Sequence, residues 1–255
     1  MPQFPVLHVL ASVAALVLGA LVLRPAAFAY TRPEDRPVPD PTCPYCGTQV
    51  LGRGSAPGAY RALVLRRRCV ACAATRPGGG RIGPPALVPE TLAAVGTTAV
   101  LAAGADGAVL AAQLWLVALG TVLICADFAV HRLPDHLTGA AALGVAALLT
   151  TEAAGSGRWG HLAVAAAAAL GLGAVYFAMA LLGQGLGDAK LVPSLAALVT
   201  WQYWFGWFHG VLLASVLAVM QWLVMRAAGT ATRTTEIALG PSLIVGFLIV
   251  SAVLG

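Results

Sequence analysis

Charge is what this sequence has least of. Asp, Glu, Lys and Arg together make up 10% of its 255 residues, against about 25% in a soluble domain. That scarcity excludes an ordinary water-soluble fold for most of the chain. Acidic residues are the rarer sign, 10 against 15 basic ones. No Lys or Arg precedes the first apolar run, so the basic n-region of a cleaved signal peptide is missing. Ala27-Phe28-Ala29 does resemble a small-residue cleavage site, but the charges follow the run instead of preceding it. The expectation is an uncleaved helix with its N-terminus outside.

What fills the space is apolar residues, 59% of the chain, in runs long enough to matter. A bilayer core of roughly 30 Å takes about 20 apolar residues in a helix. The runs predict an all-α polytopic membrane protein with eight transmembrane helices at 4–23, 89–105, 108–127, 136–151, 160–182, 190–206, 209–226 and 236–254. The first ends at Arg24-Pro25. The split of 190–226 rests on the aromatic cluster from Trp201 to His209, which fits an interfacial belt. Three regions follow: a first helix over 1–24, a polar loop over 25–88 and a seven-helix membrane domain over 89–255. Alternating the spans gathers most Arg and Lys on one side, including Arg66, Arg67, Arg68, Arg132, Lys190, Arg226 and Arg233. Asp106, Glu152 and Arg158 fall on the other. Positive loops mark the cytoplasmic side, so both termini are expected outside, in a cell (inner) membrane. A basic stretch also suits nucleic acid. Beside spans it reads better as topology, so the expected partner is membrane lipid and not nucleic acid.

The 25–88 loop holds four of the five cysteines. Cys43-Pro-Tyr-Cys46-Gly47 and Cys69-Val-Ala-Cys72 form two CxxC pairs 22 residues apart. Two such knuckles supply four thiolates, the tetrahedral set of structural zinc. Two disulfides are the alternative, and a reducing cytoplasm disfavours them. A loop this short and turn-rich gains from a metal staple. With four ligands the shell is closed, so the metal is expected to be structural. Cys125 lies within a span and reads as a small packing residue.

Two acids sit where acids are expensive. Asp127 ends the apolar run Leu123-Ile-Cys-Ala-Asp127, and Asp188 stands in Gly185-Leu-Gly187-Asp188-Ala-Lys190 before another run. The topology puts both at cytoplasmic helix ends, 61 positions apart in sequence. An ionisable group near hydrocarbon is a functional candidate by default. Two carboxylates at close range share a proton, giving one base to activate water and one acid to protonate a leaving group. Gly185 and Gly187 allow close backbone approach and unusual dihedrals beside Asp188. Blander readings exist. Asp127 could pair with Arg132, Asp188 could cap a helix beginning near Ala189, and Asp135, after Pro134, is both a rival acid and a good cap.

At these residues the sequence resembles the type IV prepilin peptidases, the bacterial branch of the GxGD intramembrane aspartyl proteases. Asp127, six residues, then Pro134-Asp135-His-Leu-Thr138 is similar to that family's upstream motif. Gly185-Leu-Gly187-Asp188-Ala-Lys190-Leu is similar to its GxGDxKL, and the paired CxxC loop and Leu239-Gly240-Pro241 also have counterparts. The resemblance covers about residues 40–250. It implies that Asp127 and Asp188 are catalytic, supported by Gly185, Gly187 and Lys190, with Asp135 at a more variable position. It implies hydrolysis of the leader from a prepilin or pseudopilin with an N-terminal apolar helix. Many family members also methylate the product with S-adenosylmethionine. This chain keeps little of the segment that usually follows the first helix, so the resemblance carries that activity only weakly.

Two other classes remain: a proton- or cation-coupled transporter that uses Asp127 and Asp188 as ligands, and a zinc-ribbon scaffold whose loop binds a partner. The aspartates are indispensable in the first and dispensable in the second.

Overall fold

The computed structural model describes residues 4–31, 40–75, 81–183, 185–229 and 238–254. Arg233 and residues 236–237, where the last expected span begins, lie outside these. The described chain is helical. Helix α1 (Phe4–Leu18) runs on through a π-helical turn, Gly19–Leu23, into α2 (Arg24–Tyr30). The polar segment holds α3 (Ala59–Arg61), its π-helical continuation Ala62–Arg66, and α4 (Val70–Thr75). Then follow α5 (Val88–Ala102), α6 (Gly107–Val130), α7 (Asp135–Ser156), α8 (Trp159–Leu181), α9 (Leu186–Gln202), α10 (Gly206–Ala227) and α11 (Leu239–Leu254). No strand forms among the described residues; two isolated antiparallel bridges, Thr42 with Gln49 and Arg68 with Arg81, are the only extended pairings there.

Among the described residues, five stretches are long and apolar enough to cross a membrane: Val9–Tyr30, Gly107–Val130, Asp135–Ser156, Trp159–Leu181 and Gly206–Ala227. They mark a multi-pass membrane protein. Helix α8 makes the point: only 6% of its apolar window is buried inside the protein, and Leu170, Val175, Phe177 and Leu181 are exposed. Water does not tolerate so continuous an apolar surface, whereas lipid does. Helices α5 and α11 are apolar but shorter.

The chain forms two compact units, residues 1–95 with 121–131, and residues 96–120 with 132–255. In the first, the opening helix does not stop at Arg24-Pro25 as the sequence suggests; it continues to Tyr30. The reason is that Arg24 finds partners inside the protein. Its guanidinium pairs with the buried Glu90 at 2.6 Å and donates to the Val64 carbonyl at 3.0 Å. Pro25 offers no N–H to the turn before it. The Leu21 carbonyl in that turn accepts the Tyr60 hydroxyl instead. Gly19 lets the helix lie against the Glu90 backbone, where a Cβ would come within 2.8 Å of Glu90 Cα.

In the second unit α9 is the centre, packed by α7, α8, α10 and α11. Most of its residues from Asp188 to Trp201 are buried. A helix shielded by neighbours can carry Asp188 and Pro193 in its interior. Small residues set the close crossings, as packing in hydrocarbon requires. A Cβ on Gly246 would meet the Ala214 backbone at 2.7 Å, and one on Gly173 would meet Pro193 at 2.9 Å. Between α9 and α10 the helix breaks over residues 203–205, inside the aromatic cluster.

Candidate functional site

The four-thiol cluster is built by two turns of opposite character. In the first, Cys43 donates its N–H to the Thr48 carbonyl at 2.8 Å, and Gly47 donates back to Cys43 at 2.9 Å. This folds Cys43–Thr48 into a knuckle. Gly47 closes it with φ 71°, a left-handed conformation that favours glycine. In the second, Cys69 stands just before α4 and Cys72 one turn inside it. The four sulfurs lie within 4.8 Å of one another. Cys43 Sγ is 3.6 Å from Cys72 Sγ, and Cys46 Sγ is 3.7 Å from Cys69 Sγ. None of the four is in a disulfide. Four thiolates about 2.3 Å from a tetrahedral zinc stand roughly 3.8 Å apart, so the cluster fits such an ion.

Around the sulfurs lies a small core of Phe28, Val50, Leu63 and Ile82, all buried. Phe28 comes from α2, a residue that sequence spacing alone does not connect to the cysteines. The thiols differ electrostatically. The Thr48 hydroxyl and N–H beside Cys46 pull its pKa down to about 6. Burial, helped by the neighbouring thiols, pushes Cys72 up to about 12, and burial also raises Cys69. A metal entering the cluster must therefore displace protons.

The aspartate turn belongs to the second unit. Helix α9 begins at Leu186 with Gly185 as its extended N-cap and no side-chain cap. Asp188 is thus not the cap that a start near Ala189 would make it. It lies within the first turn, is buried, and its N–H donates to the Gly185 carbonyl at 3.3 Å. A first-turn position favours a negative charge. The expectation of unusual dihedrals at both glycines is corrected: Gly185 has φ −64°, and the left-handed residue of the turn is Gly183, at φ 107°. Close approach is what Gly187 provides, because a Cβ there would lie 2.9 Å from Leu133 Cβ.

The upstream motif meets this turn through its second half. Leu133 is buried against Gly187, and Asp135 Oδ1 accepts from Lys190 Nζ at 2.7 Å. Helix α7 starts at Asp135 with Pro134 as N-cap and no side-chain cap bond. The Pro134 carbonyl accepts the Leu137 and Thr138 N–H groups, and the buried Thr138 hydroxyl donates to the Asp135 carbonyl at 3.0 Å. Asp135 is therefore neither a side-chain cap nor a rival for the buried role; it is the exposed partner of Lys190. Asp127 belongs to the first unit. It is buried inside α6, one turn before its end, and its carbonyl accepts from His131 at 2.9 Å. His131 ends the helix in a left-handed conformation, φ 51°. Cys125 is buried in the same helix, as a packing residue would be.

The Arg24–Glu90 pair and the Lys190–Asp135 pair both escape a reading of the sequence, because the partners stand 66 and 55 positions apart. No family model matches the chain, and no curated protein or solved structure matches it either.

Proposed function

We propose that the chain is a membrane-embedded aspartyl endopeptidase that removes the leader from type IV prepilin-like proteins at the cytoplasmic membrane face. Asp127 and Asp188 are its carboxylate pair. The observation that carries this reading is the docking of one motif on the other: Leu133 on Gly187 and Asp135 on Lys190. Asp127 opens the upstream motif a few residues earlier, and it and Asp188 are buried acids in a chain poor in acids. A buried carboxyl needs a reason to be there.

The chemistry follows from a shared proton. The ionised carboxylate takes a proton from water as the water oxygen adds to the scissile carbonyl carbon. The protonated carboxyl gives its proton to the carbonyl oxygen. The carboxyl that took the water proton then passes it to the leaving amine as the C–N bond breaks, and a hydroxyl of the tetrahedral intermediate returns a proton to the other carboxylate, restoring the shared-proton pair. An apolar cavity of about 250 Å³ in the second unit has room for one or two apolar side chains. One of its walls is Tyr176, which lies within electrostatic range of Asp188.

In this reading the opening helix and α5 to α11 make eight crossings, with the cysteine loop in the cytoplasm and both aspartates at the cytoplasmic side of the membrane. Zinc holds the loop and takes no part in hydrolysis. Gly19 and Arg24 are occupied in packing against Glu90 and the loop, and the segment after the first helix keeps little of the family's pattern, which favours the peptidase half of the family's chemistry over S-adenosylmethionine-dependent methylation.

The test is co-expression of the full chain with a prepilin, reading leader removal by mass. Asp188→Asn and Asp127→Asn should each leave the prepilin uncleaved, while the purified variants keep their zinc. Processing that survives either substitution sinks the assignment.

A further inference from the structure

The segment formed by α3 and its π-helical continuation has two unlike faces. Ala59, Leu63 and Val64 point inward and are buried. Tyr60, Arg61, Leu65 and Arg66 are exposed. Leu65 is 71% exposed, among the most exposed large apolar side chains described. In a π-helix the hydrogen bonds run from i to i+5, which sets Arg66 over Arg61 with Leu65 beside it.

Two bonds fasten this segment to the opening helix. The Tyr60 hydroxyl donates to the Leu21 carbonyl, and Arg24 Nη1 donates to the Val64 carbonyl at 3.0 Å. The exposed apolar side chains of the opening helix run from Val9 to Leu21 and Val22 and stop there; beyond them Leu23, Arg24, Pro25 and Ala27 to Ala29 are buried in the protein. The exposed face of residues 60–66 is thereby held beside the end of the helix's exposed apolar run. Its charge is one-sided. Residues 40–75 contain Arg53, Arg61, Arg66, Arg67 and Arg68 against a single acid, Asp40, which is buried and accepts from Thr42.

We propose that this face docks on an anionic phospholipid leaflet of the membrane that the chain crosses. Leu65 enters the acyl boundary, Tyr60 sits at the headgroup level where aromatic hydroxyls collect, and Arg61 and Arg66 take the lipid phosphates. A nucleic acid would use the arginines but gives an exposed leucine between them nothing to bind. Lipid uses all four side chains. The inference stands apart from the peptidase reading, since it needs neither aspartate.

Hydrogen exchange on the full zinc-loaded chain tests it, in vesicles of phosphatidylcholine alone and of phosphatidylcholine with phosphatidylglycerol. The amides of residues 60–66 should exchange on the order of tenfold more slowly with phosphatidylglycerol present. Arg61→Gln/Arg66→Gln should erase the difference while zinc content stays at the parent level. Should that double variant lose its zinc, raised salt on the parent chain takes its place and should erase the difference too. Equal exchange in the two vesicles overturns the proposal, as does a difference that survives both the substitutions and the salt. A single-stranded RNA that slows the same amides as strongly in phosphatidylcholine alone also overturns it, in favour of nucleic acid.

Discussion

Glu90 and Arg24 are each buried with their partner as the other's charge, their side chains 5% and 8% exposed. Removing one charge strands the other in a dry setting, which costs about 3–5 kcal/mol, whereas replacing both by apolar residues costs far less. Glu90→Gln should therefore lower the unfolding temperature in detergent much more than Arg24→Met/Glu90→Leu. The Lys190–Asp135 pair is of the other kind. Both side chains are substantially exposed, 45% and 74%, and such pairs contribute about 0–1 kcal/mol. Lys190→Met should barely move stability, so any loss of prepilin processing in that variant reports on position and not on folding. Lys190 is the only lysine of the chain, which lets amine-directed labelling follow it without substitution. Gly187→Ala brings a Cβ to 2.9 Å from Leu133. It should cost about 1–3 kcal/mol and slow processing, and Leu133→Ala should recover part of both by making room. At the cysteines the sign of the pH effect is fixed by Cys69 and Cys72, whose thiols are raised. The metal-free cluster holds their protons at neutral pH and must release them on binding. Zinc affinity should therefore climb with pH through neutrality and fall steeply in acid, measured by competition with a chromophoric chelator.

At the scale of elements, the runs of apolar residues were enough to locate the helices, because a span must be apolar along its whole length. Their ends were harder. Arg24 reads as a stop because a lone arginine is costly in hydrocarbon, and nothing local reveals that Glu90 answers it. Helix α6 runs to Val130, past Asp127, for the same reason: a buried acid inside a helix looks, in sequence, like the boundary of one. The cysteine knuckles were legible since their spacing is itself the geometry of a tetrahedral shell. Phe28 was not, because its tie to the cysteines is spatial only. Gly187 was legible as a close approach, but the residue approaching it, Leu133, was not. Between α10 and α11 the small residues decide the distance. Gly246→Val should push the Ala214 backbone away and lower the yield of folded protein in detergent, while Gly155→Ala, where a Cβ meets nothing, should leave it unchanged.

For the whole molecule, the reading with eight crossings makes a topological claim beyond the five long apolar stretches. Alkaline phosphatase fused after Gly255 should be active, since that end is expected outside. The same enzyme inserted at residues 76–80, in the cysteine loop, should be inactive. Exposed apolar surface on α8 and α10 belongs to lipid in this reading, so detergent exchange should disturb those helices before α9, whose neighbours shield it. Chelation should loosen the first unit alone. The loop's core has few members besides its cysteines, too small a core to stand unaided, whereas the second unit draws on helix packing throughout.

Phe28 ties these scales together in time. It is synthesised before any of the four cysteines, on a helix that has already left the ribosome when Cys72 is made. With the opening helix in the membrane, as the proposed topology has it, the loop finishes its core around a residue inserted before it. Metal capture thus becomes a record of correct insertion: a chain whose opening helix is misplaced offers four thiols without their plug and should exchange zinc quickly. A fragment of residues 40–88 should behave like that misplaced chain, and one of residues 24–88 should hold its metal longer. In the proposed topology with zinc in the cluster, assembly of this region would run in order, with anchoring first and stapling second.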